Sequence, residues 1–252
     1  MRQPNVNGTF YPSKEQELKE LVQKLITQAK TKNKGIVISP HAGLTYSGLC
    51  AAHSFKSLKK ANTFIILGTN HNCMGSSIIT DDENEWITPL GNIKIDLGLK
   101  EKLKIEINST PFNYEHSIEV QLPFLQTLFP QSKFFPILLN PQTFTIKHAE
   151  ELGKKIKDYS IIASSDLTHY GKRFEHASND DEQIINEILK LDSKNFYEKR
   201  LNRTVCGWPC ILTIMEIAKL KNLKPELVKY YNSSIITNTP RDWVGYASIV
   251  FK

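Results

Sequence analysis

Arginine and long apolar runs are both scarce in this chain. Of its 32 basic residues only five are arginine, and the formal net charge is +6. Phosphate and base recognition favours arginine, and the lysines are scattered along predicted helices, so the composition argues against nucleic acid as a partner. No apolar run approaches the roughly 18 residues of a membrane helix, and the N-terminal residues lack the basic-then-apolar pattern of a signal peptide. We therefore expect a cytoplasmic protein with no membrane partner.

Cysteine is also sparse, and its spacing argues against two kinds of site. The four cysteines are Cys50, Cys73, Cys206 and Cys210. In a cytoplasmic chain of 252 residues, reduced thiols or metal ligands are expected rather than a disulfide framework. Three residues separate Cys206 from Cys210, so this pair is not the Cys-x-x-Cys of thioredoxin-like or zinc-ribbon sites.

Internal repeats, low-complexity segments and linker-like stretches are absent, which favours one domain over residues 1–252. With 40% hydrophobic residues, the chain can bury the core of one large α/β domain. A capping box of Ser13 and Gln16 predicts a first helix that ends near Asn33. Strand 35–39, a helix from about Ser47 and strand 63–67 then form a βαβ unit, which implies parallel strands in one sheet.

Later segments follow the same alternation of strand and helix. Ser117 is predicted to begin a helix, with Glu119 reaching back towards its start, which places His116 at a helix N-terminus. A strand at 160–163 precedes Asp166 and His169, two polar helices occupy 180–199, and an apolar helix spans 208–221.

Side chains that bind metals lie where predicted strands give way to loops. His41 follows strand 35–39 and His71 follows strand 63–67, so each lies past the carboxyl end of a strand. In open α/β sheets that edge is where ligand sites are built. The stretches that carry such side chains are residues 40–43, 68–71, 115–117, 164–169 and 205–207.

These residue types predict a transition-metal site. Two imidazoles and the thiolate of Cys206 suit Fe(II), copper or zinc, and disfavour magnesium and calcium. Asp166 and His169, three residues apart after a strand, can orient a ligand or move a proton, and His116 is a candidate third base.

A plainer interpretation stands beside this one. A lone histidine in a loop is more often a packing or surface residue, and we assign no site role to His53, His148 and His176. Taken alone, a cysteine such as Cys206 is more often a small buried apolar side chain than a ligand. The alternative role for Asp166 is that of a helix N-cap.

Several motifs, in one order along nearly the whole chain, resemble the Memo family (mediator of cell motility). They are Asn7-Gly8-Thr9-Phe10-Tyr11-Pro12, PHAGLTYSG at 40–48, GTNH at 68–71, EHSIEVQLPFLQ at 115–126, SSDLTHYG at 164–171 and VCG at 205–207. Bacterial and archaeal members are described as component B of a set, the AmmeMemoRadiSam system, with an AMMECR-type protein and a radical-SAM protein. The resemblance therefore implies these two as partner proteins.

The resemblance also implies a fold and a ligand set. The family is similar to class III extradiol ring-cleavage dioxygenases, which implies an α/β domain with a central mixed β-sheet flanked by helices. His41, His71 and Cys206 match the family's metal-binding positions, and Asp166 and His169 match further pocket residues. The dioxygenases use a carboxylate where this chain has a thiolate, and a softer ligand favours copper or alters the redox behaviour of iron.

The chain departs from the common family pattern at three points. Leu44 and Thr69 replace an aromatic residue and a proline, and the proline of Cys206-Gly207-Trp208-Pro209-Cys210 stands one position early. These changes leave the candidate ligands in place but bear on pocket shape and substrate, and Cys210 offers a second thiol nearby.

Three functions follow from these observations. The first is an iron- or copper-dependent oxidoreductase with an unidentified small-molecule or peptide substrate, in which His169, oriented by Asp166, moves protons. The alternative is a non-catalytic protein that binds a peptide or partner in the same pocket. A weaker alternative is a zinc hydrolase, which the metal's identity would distinguish because zinc has no redox chemistry.

Overall fold

A mixed β-sheet organises the residues that the computed structural model describes, 1–31, 33–171, 180–239 and 242–252. The strands in chain order are β1 Ile36–Ser39, β2 Thr63–Thr69, β3 Ile78–Thr80, β4 Glu85–Thr88, β5 Gly91–Lys94, β6 Glu106–Ile107, β7 Lys133–Leu139, β8 Ser160–Ser164, β9 His169–Tyr170, β10 Pro225–Asn232 and β11 Trp243–Phe251. In the large sheet their order is β10-β11-β1-β8-β2-β7-β3-β6, with β9 beside β11, and β4 and β5 form a separate hairpin.

The four central strands, β1, β8, β2 and β7, are parallel, whereas β11 runs antiparallel to β1. Their residues are nearly all buried, which is the reason that their sequences are continuous apolar runs rather than alternating ones. The predicted βαβ unit is confirmed, with β8 inserted between its two strands.

Helices flank this sheet in two groups. The helices are α1 Glu15–Gln28, α2 Leu44–Lys56, α3 Leu97–Leu103, α4 Leu122–Leu128, α5 Ile146–Ile156, α6 Asp181–Leu189, α7 Ser193–Glu198, α8 Trp208–Lys221 and α9 Ser234–Thr237. One group packs α1 and α4 against α2, and the other packs α5 and α7 against α8. The predicted class, an α/β fold with a mixed central sheet between helices, is confirmed. Within the described residues, no helix combines the length and the apolar character needed to cross a membrane.

The predicted ends of the first two helices are wrong. No capping box forms at Ser13, because α1 has Lys14 at its N-cap without a side-chain cap, and the Gln16 amide donates to Glu20 instead. The helix ends at Gln28, well before Asn33, because the backbone is already extended at Ala29. The second helix begins at Leu44 rather than near Ser47.

The helix predicted to begin at Ser117 is also wrong, and this changes the setting of His116. A turn at 117–118 and a 3-10 turn at Glu119–Gln121 precede α4, which starts at Leu122 with proline in its first turn. The Glu119 carboxylate does not reach back to a helix start. It accepts hydrogen bonds from Arg2 at 2.9 Å and from the Tyr11 hydroxyl at 2.6 Å. His116 therefore lies in a loop that long-range contacts hold, and not at a helix N-terminus.

Candidate metal centre

Three imidazoles converge beyond the carboxyl ends of the parallel strands. One ring nitrogen from each of His41, His71 and His116 lies within 4.8 Å of the others. His41 follows β1 and is 1% exposed, and His71 follows β2. The ring of His116 stacks on that of His71, with centroids 4.8 Å apart. The structure thus brings together the two predicted metal-binding histidines and adds His116, which the sequence suggested only as a base.

The thiol of Cys206 joins this cluster from the loop before α8. Its Sγ lies 3.3 Å from Nε2 of His41. The next residue, Gly207, packs so closely on the end of β8 that a Cβ atom there would lie 2.5 Å from the Ser164 carbonyl oxygen. Its N–H donates to the Ser165 hydroxyl at 3.0 Å. Only glycine allows this approach, so Gly207 is what brings Cys206 to the histidines.

A chain of hydrogen bonds sets the tautomer of His41. The hydroxyl of Ser164 donates to the Ser117 carbonyl at 2.6 Å and accepts from the Gln121 amide at 2.9 Å. Because its single proton is used, it must accept from Nδ1 of His41, which lies 2.9 Å away. When it is neutral, His41 therefore carries its proton on Nδ1 and leaves the Nε2 lone pair available for a metal ion.

Glu115 performs the same task for His71. Its buried carboxylate lies 2.9 and 3.0 Å from Nδ1 of His71 and accepts from the backbone N–H groups of His71, His116 and Ser117. A carboxylate on Nδ1 fixes the proton there and leaves Nε2 for the cluster, which is the usual support of a metal-binding histidine. Gly68 permits the close packing, since a Cβ atom there would lie 2.5 Å from the Ile118 side chain.

The cluster also shifts the ionisation of its members. Burial raises the pKa of Cys206, but the charge of His41 and hydrogen bonds from His41 and His71 lower it to about 5. Burial lowers the pKa of His71, but its bonds to Cys206 and Glu115 raise it to about 11. Burial lowers the pKa of His116 to about 4 and also lowers that of His41. At neutral pH the metal-free site therefore holds a thiolate beside a protonated His71, and His116 is neutral.

Asp166 and His169 lie beside the cluster, and both cleft residues are held by contacts with the backbone. The Asp166 carboxylate is buried and accepts from the backbone N–H of His41 at 2.8 Å. The ring of His169 is fixed by Thr204, whose carbonyl lies 2.9 Å from Nδ1 and whose hydroxyl accepts from the His169 backbone N–H at 2.8 Å. Thr204 therefore contributes to the orientation of the His169 ring. Because a carbonyl cannot donate, Nδ1 carries the proton and Nε2 of His169 is its basic atom.

The remaining cysteines and histidines have structural roles. Cys210 is buried near the cluster, with Sγ 4.0 Å from the Thr69 hydroxyl, and burial raises its pKa far above the usual range. All four cysteines are free, as expected. Nδ1 of His53 lies 2.7 Å from the Lys30 carbonyl, and His148 caps α5, so neither contributes to the site. The prediction for His176 lies outside the described residues.

A cleft of about 480 Å³ reaches the cluster at His116. Four aromatic side chains line it, and its polar residues include His116, His169 and Asp166. From the sequence alone, Phe10 and Ser164 stood out only as parts of motifs, Glu115 had no predicted role, and Thr204 was missed. Two features of the sequence could have identified the last two residues: Glu115 is next to His116, and Thr204 lies two residues before Cys206. The aromatic wall residues are Phe10, Tyr46, Trp243 and Tyr246.

Comparison with known proteins gives a consistent result over the whole chain. The family model described as "Memo-like protein" matches residues 2–250. The chain is 36% identical to a MEMO1 family protein of Archaeoglobus fulgidus, with all of both chains covered. It is 37% identical to a MEMO1 family protein of Methanosarcina barkeri, over 99% of each chain. It is 38% identical to one of Thermoplasma volcanium, over 99% of this chain and 98% of the relative.

Proposed function

The chain belongs to the Memo-like protein family, and on that premise we propose that it is a metal-dependent oxidoreductase with iron or copper bound by His41, His71 and Cys206. One observation carries the proposal. Donor atoms from separate segments converge at the carboxyl edge of the parallel sheet, beside a cleft that His116 and four aromatic side chains help to line. His116 is close enough to serve as a further ligand or as a base.

The donor set suits such a metal. Hydrogen bonds hold the protons of His41 and His71 on Nδ1, so both Nε2 lone pairs can face a cation once His71 gives up its second proton. The low pKa of Cys206 supplies a thiolate. Two imidazoles and a thiolate favour copper, iron or zinc over magnesium and calcium. Metal uptake would displace the proton from His71, so it should release protons to solvent.

The protein's own groups would handle substrate and protons. A bound redox metal would supply one-electron chemistry and Lewis acidity. Nε2 of His169, at the wall of the cleft and held by Thr204, would accept a proton from a bound substrate. Asp166 fixes the backbone at His41 and adds negative charge beside the cleft. The aromatic walls would exclude water and pack against an apolar or aromatic part of a small molecule or peptide.

The same cleft supports a second function, binding of a peptide or partner without turnover. Its aromatic and hydroxyl-bearing walls, including Tyr46, Thr237 and Trp243, suit a peptide side chain. AMMECR-type and radical-SAM proteins remain the proposed partners, and the cytoplasm remains the proposed location. A zinc hydrolase is the weaker alternative, since zinc accepts the same donors.

Elemental analysis of anaerobically purified protein tests the proposal, with His71→Ala and Cys206→Ala as variants. We expect iron or copper near one ion per chain, lost in both variants and retained in Cys73→Ala, a matched control because Cys73 lies two residues from His71. Stoichiometric zinc instead would favour the hydrolase. No metal in folded protein, and none taken up on titration, would leave the binding role. A metal-bound His169→Asn variant should lose oxygen or substrate consumption.

A further inference from the structure

A second cleft, of about 470 Å³, lies at the opposite end of the same parallel strands. It is formed where β1 and β8 begin, around Ile36 and Ser160, and where β11 ends at Phe251. Its floor is apolar, with Ile36 and Phe251 buried and Leu223 packed against the core. Its rim carries six lysines, which are Lys34, Lys59, Lys60, Lys157, Lys221 and Lys252.

Positive charge exceeds negative charge around this cleft. Lys221 lies 3.5 Å from Asp158, and Lys252 pairs with Glu226. Around the cleft, six ammonium groups therefore face only two side-chain carboxylates, those of Asp158 and Glu226. Within the described parts of the chain, Lys59, Lys60 and Lys157 make no ion pair. An anion in the cleft would relieve the repulsion among them.

The helix dipole explains only part of this arrangement. Lys157 directly follows α5 and Lys221 ends α8, and cations at helix C-termini are favourable. The effect is confined to the last turn of a helix. Lys34, Lys59 and Lys60 lie in loops, and Lys252 follows β11, so their presence on the same rim needs another reason.

We propose that this cleft binds a small organic anion with an apolar or aromatic body and a phosphate, carboxylate or sulfonate group. The volume falls within the range of about 300–1,000 Å³ for small-molecule sites. The body would pack on Ile36, Leu223 and Phe251, and the anionic group would lie against Lys59, Lys60 and Lys157. The site is separate from the histidine cluster, which lies at the other end of the strands.

Fluorescence titration with 8-anilinonaphthalene-1-sulfonate tests the cationic rim. The test variant is Lys59→Gln/Lys60→Gln/Lys157→Gln, and the control is Lys19→Gln/Lys24→Gln/Lys147→Gln, which removes the same charge from exposed helix surfaces. We expect binding of the dye to weaken about tenfold or more in the test variant and to change little in the control. Equal affinities in the two variants would overturn the proposal, because the dye would then be bound elsewhere or only through net charge.

Inorganic sulfate tests the apolar floor. It offers the anionic group without a ring, so it should displace the dye only at much higher concentration than naphthalene-1-sulfonate does. Sulfate that competes as well as naphthalene-1-sulfonate would contradict a role for the floor. Metal content should be the same in all of these proteins, so the outcome is independent of the proposed metal centre.

Discussion

The two ends of the parallel sheet are formed by the same strands, but they differ in how far their side chains are exposed to solvent. At the carboxyl edge, the loops at 40–43, 69–72, 115–118 and 204–207 pack on one another, and His41, Glu115 and Asp166 are almost fully buried. At the amino edge, Lys34, Lys59 and Lys60 are exposed at the rim of an open cleft.

This difference decides what each edge can do. Burial at the carboxyl edge favours polar atoms that have hydrogen-bond partners, and the resulting network fixes tautomers and shifts the pKa values of Cys206, His71 and Glu115. Exposure at the amino edge leaves the lysines solvated, so they can attract an anion but are not rigidly placed. The same backbone therefore supports a buried polar network at one end and an exposed group of lysines at the other.

The largest expected effect comes from the ion pair beneath the carboxyl edge. Arg2 is 5% exposed, contacts Glu119 at 2.9 Å, stacks on Trp86 and donates to the Phe112 and Glu115 carbonyls. Replacing Arg2 with Met leaves the Glu119 charge buried and unpaired, so we expect a loss of about 3–5 kcal/mol in the free energy of unfolding. Urea denaturation measures it.

The control for Arg2 is an ion pair at the amino edge. Lys221→Met removes the partner of Asp158, whose side chain is 76% exposed, and should cost less than about 1 kcal/mol. Similar losses of unfolding free energy in the two variants would contradict the difference that we infer between the two edges.

A smaller effect is expected from Glu115→Gln, which keeps the shape of the side chain but removes its charge. The amide retains one acceptor oxygen for the donors that now contact the carboxylate, so we expect about 1–3 kcal/mol of destabilisation. Because Nδ1 of His71 would lose its charged partner, metal affinity should fall about 10- to 100-fold. Metal titration and urea denaturation measure the two effects. The control is Asp158→Asn, which also replaces a carboxylate with an amide but at the amino edge, and it should alter neither stability nor metal affinity. Unchanged metal affinity in Glu115→Gln would contradict the role of Glu115 in orienting His71.

The smallest effect is a shift in the pH at which Cys206 reacts. An acid with a lowered pKa is deprotonated at lower pH, and that of Cys206 is lowered to about 5. In metal-free protein with Cys73→Ser, the iodoacetamide alkylation rate should therefore rise near pH 5 and stay level through neutral pH. The alkylation rate of an ordinary thiol rises instead at about pH 8.5, which is its usual pKa. A rate that rises only in that higher range would show that the histidines do not stabilise the thiolate.

Sequence reasoning succeeded where local pattern and tertiary environment agree. The helix over Trp208–Lys221 has the predicted bounds, because burial of its apolar residues agrees with the local pattern. It failed at Ser117, where Ile118, Leu122 and Leu125 have helical spacing. There Glu119 is bound by Arg2, which lies 117 positions away in the chain, and this contact draws the segment into a turn. The short α3, Leu97–Leu103, was not predicted.

The sequence by itself determined the fold class, the family and the convergence of His41 and His71, because strand ends and ordered motifs are local features of the chain. Only the tertiary structure decided that Glu115 and Ser164 set the tautomers, that Thr204 contacts the ring of His169, and that six distant lysines share one cleft. These are contacts between segments far apart in the chain. They depend on strand order and loop packing, which no local periodicity encodes.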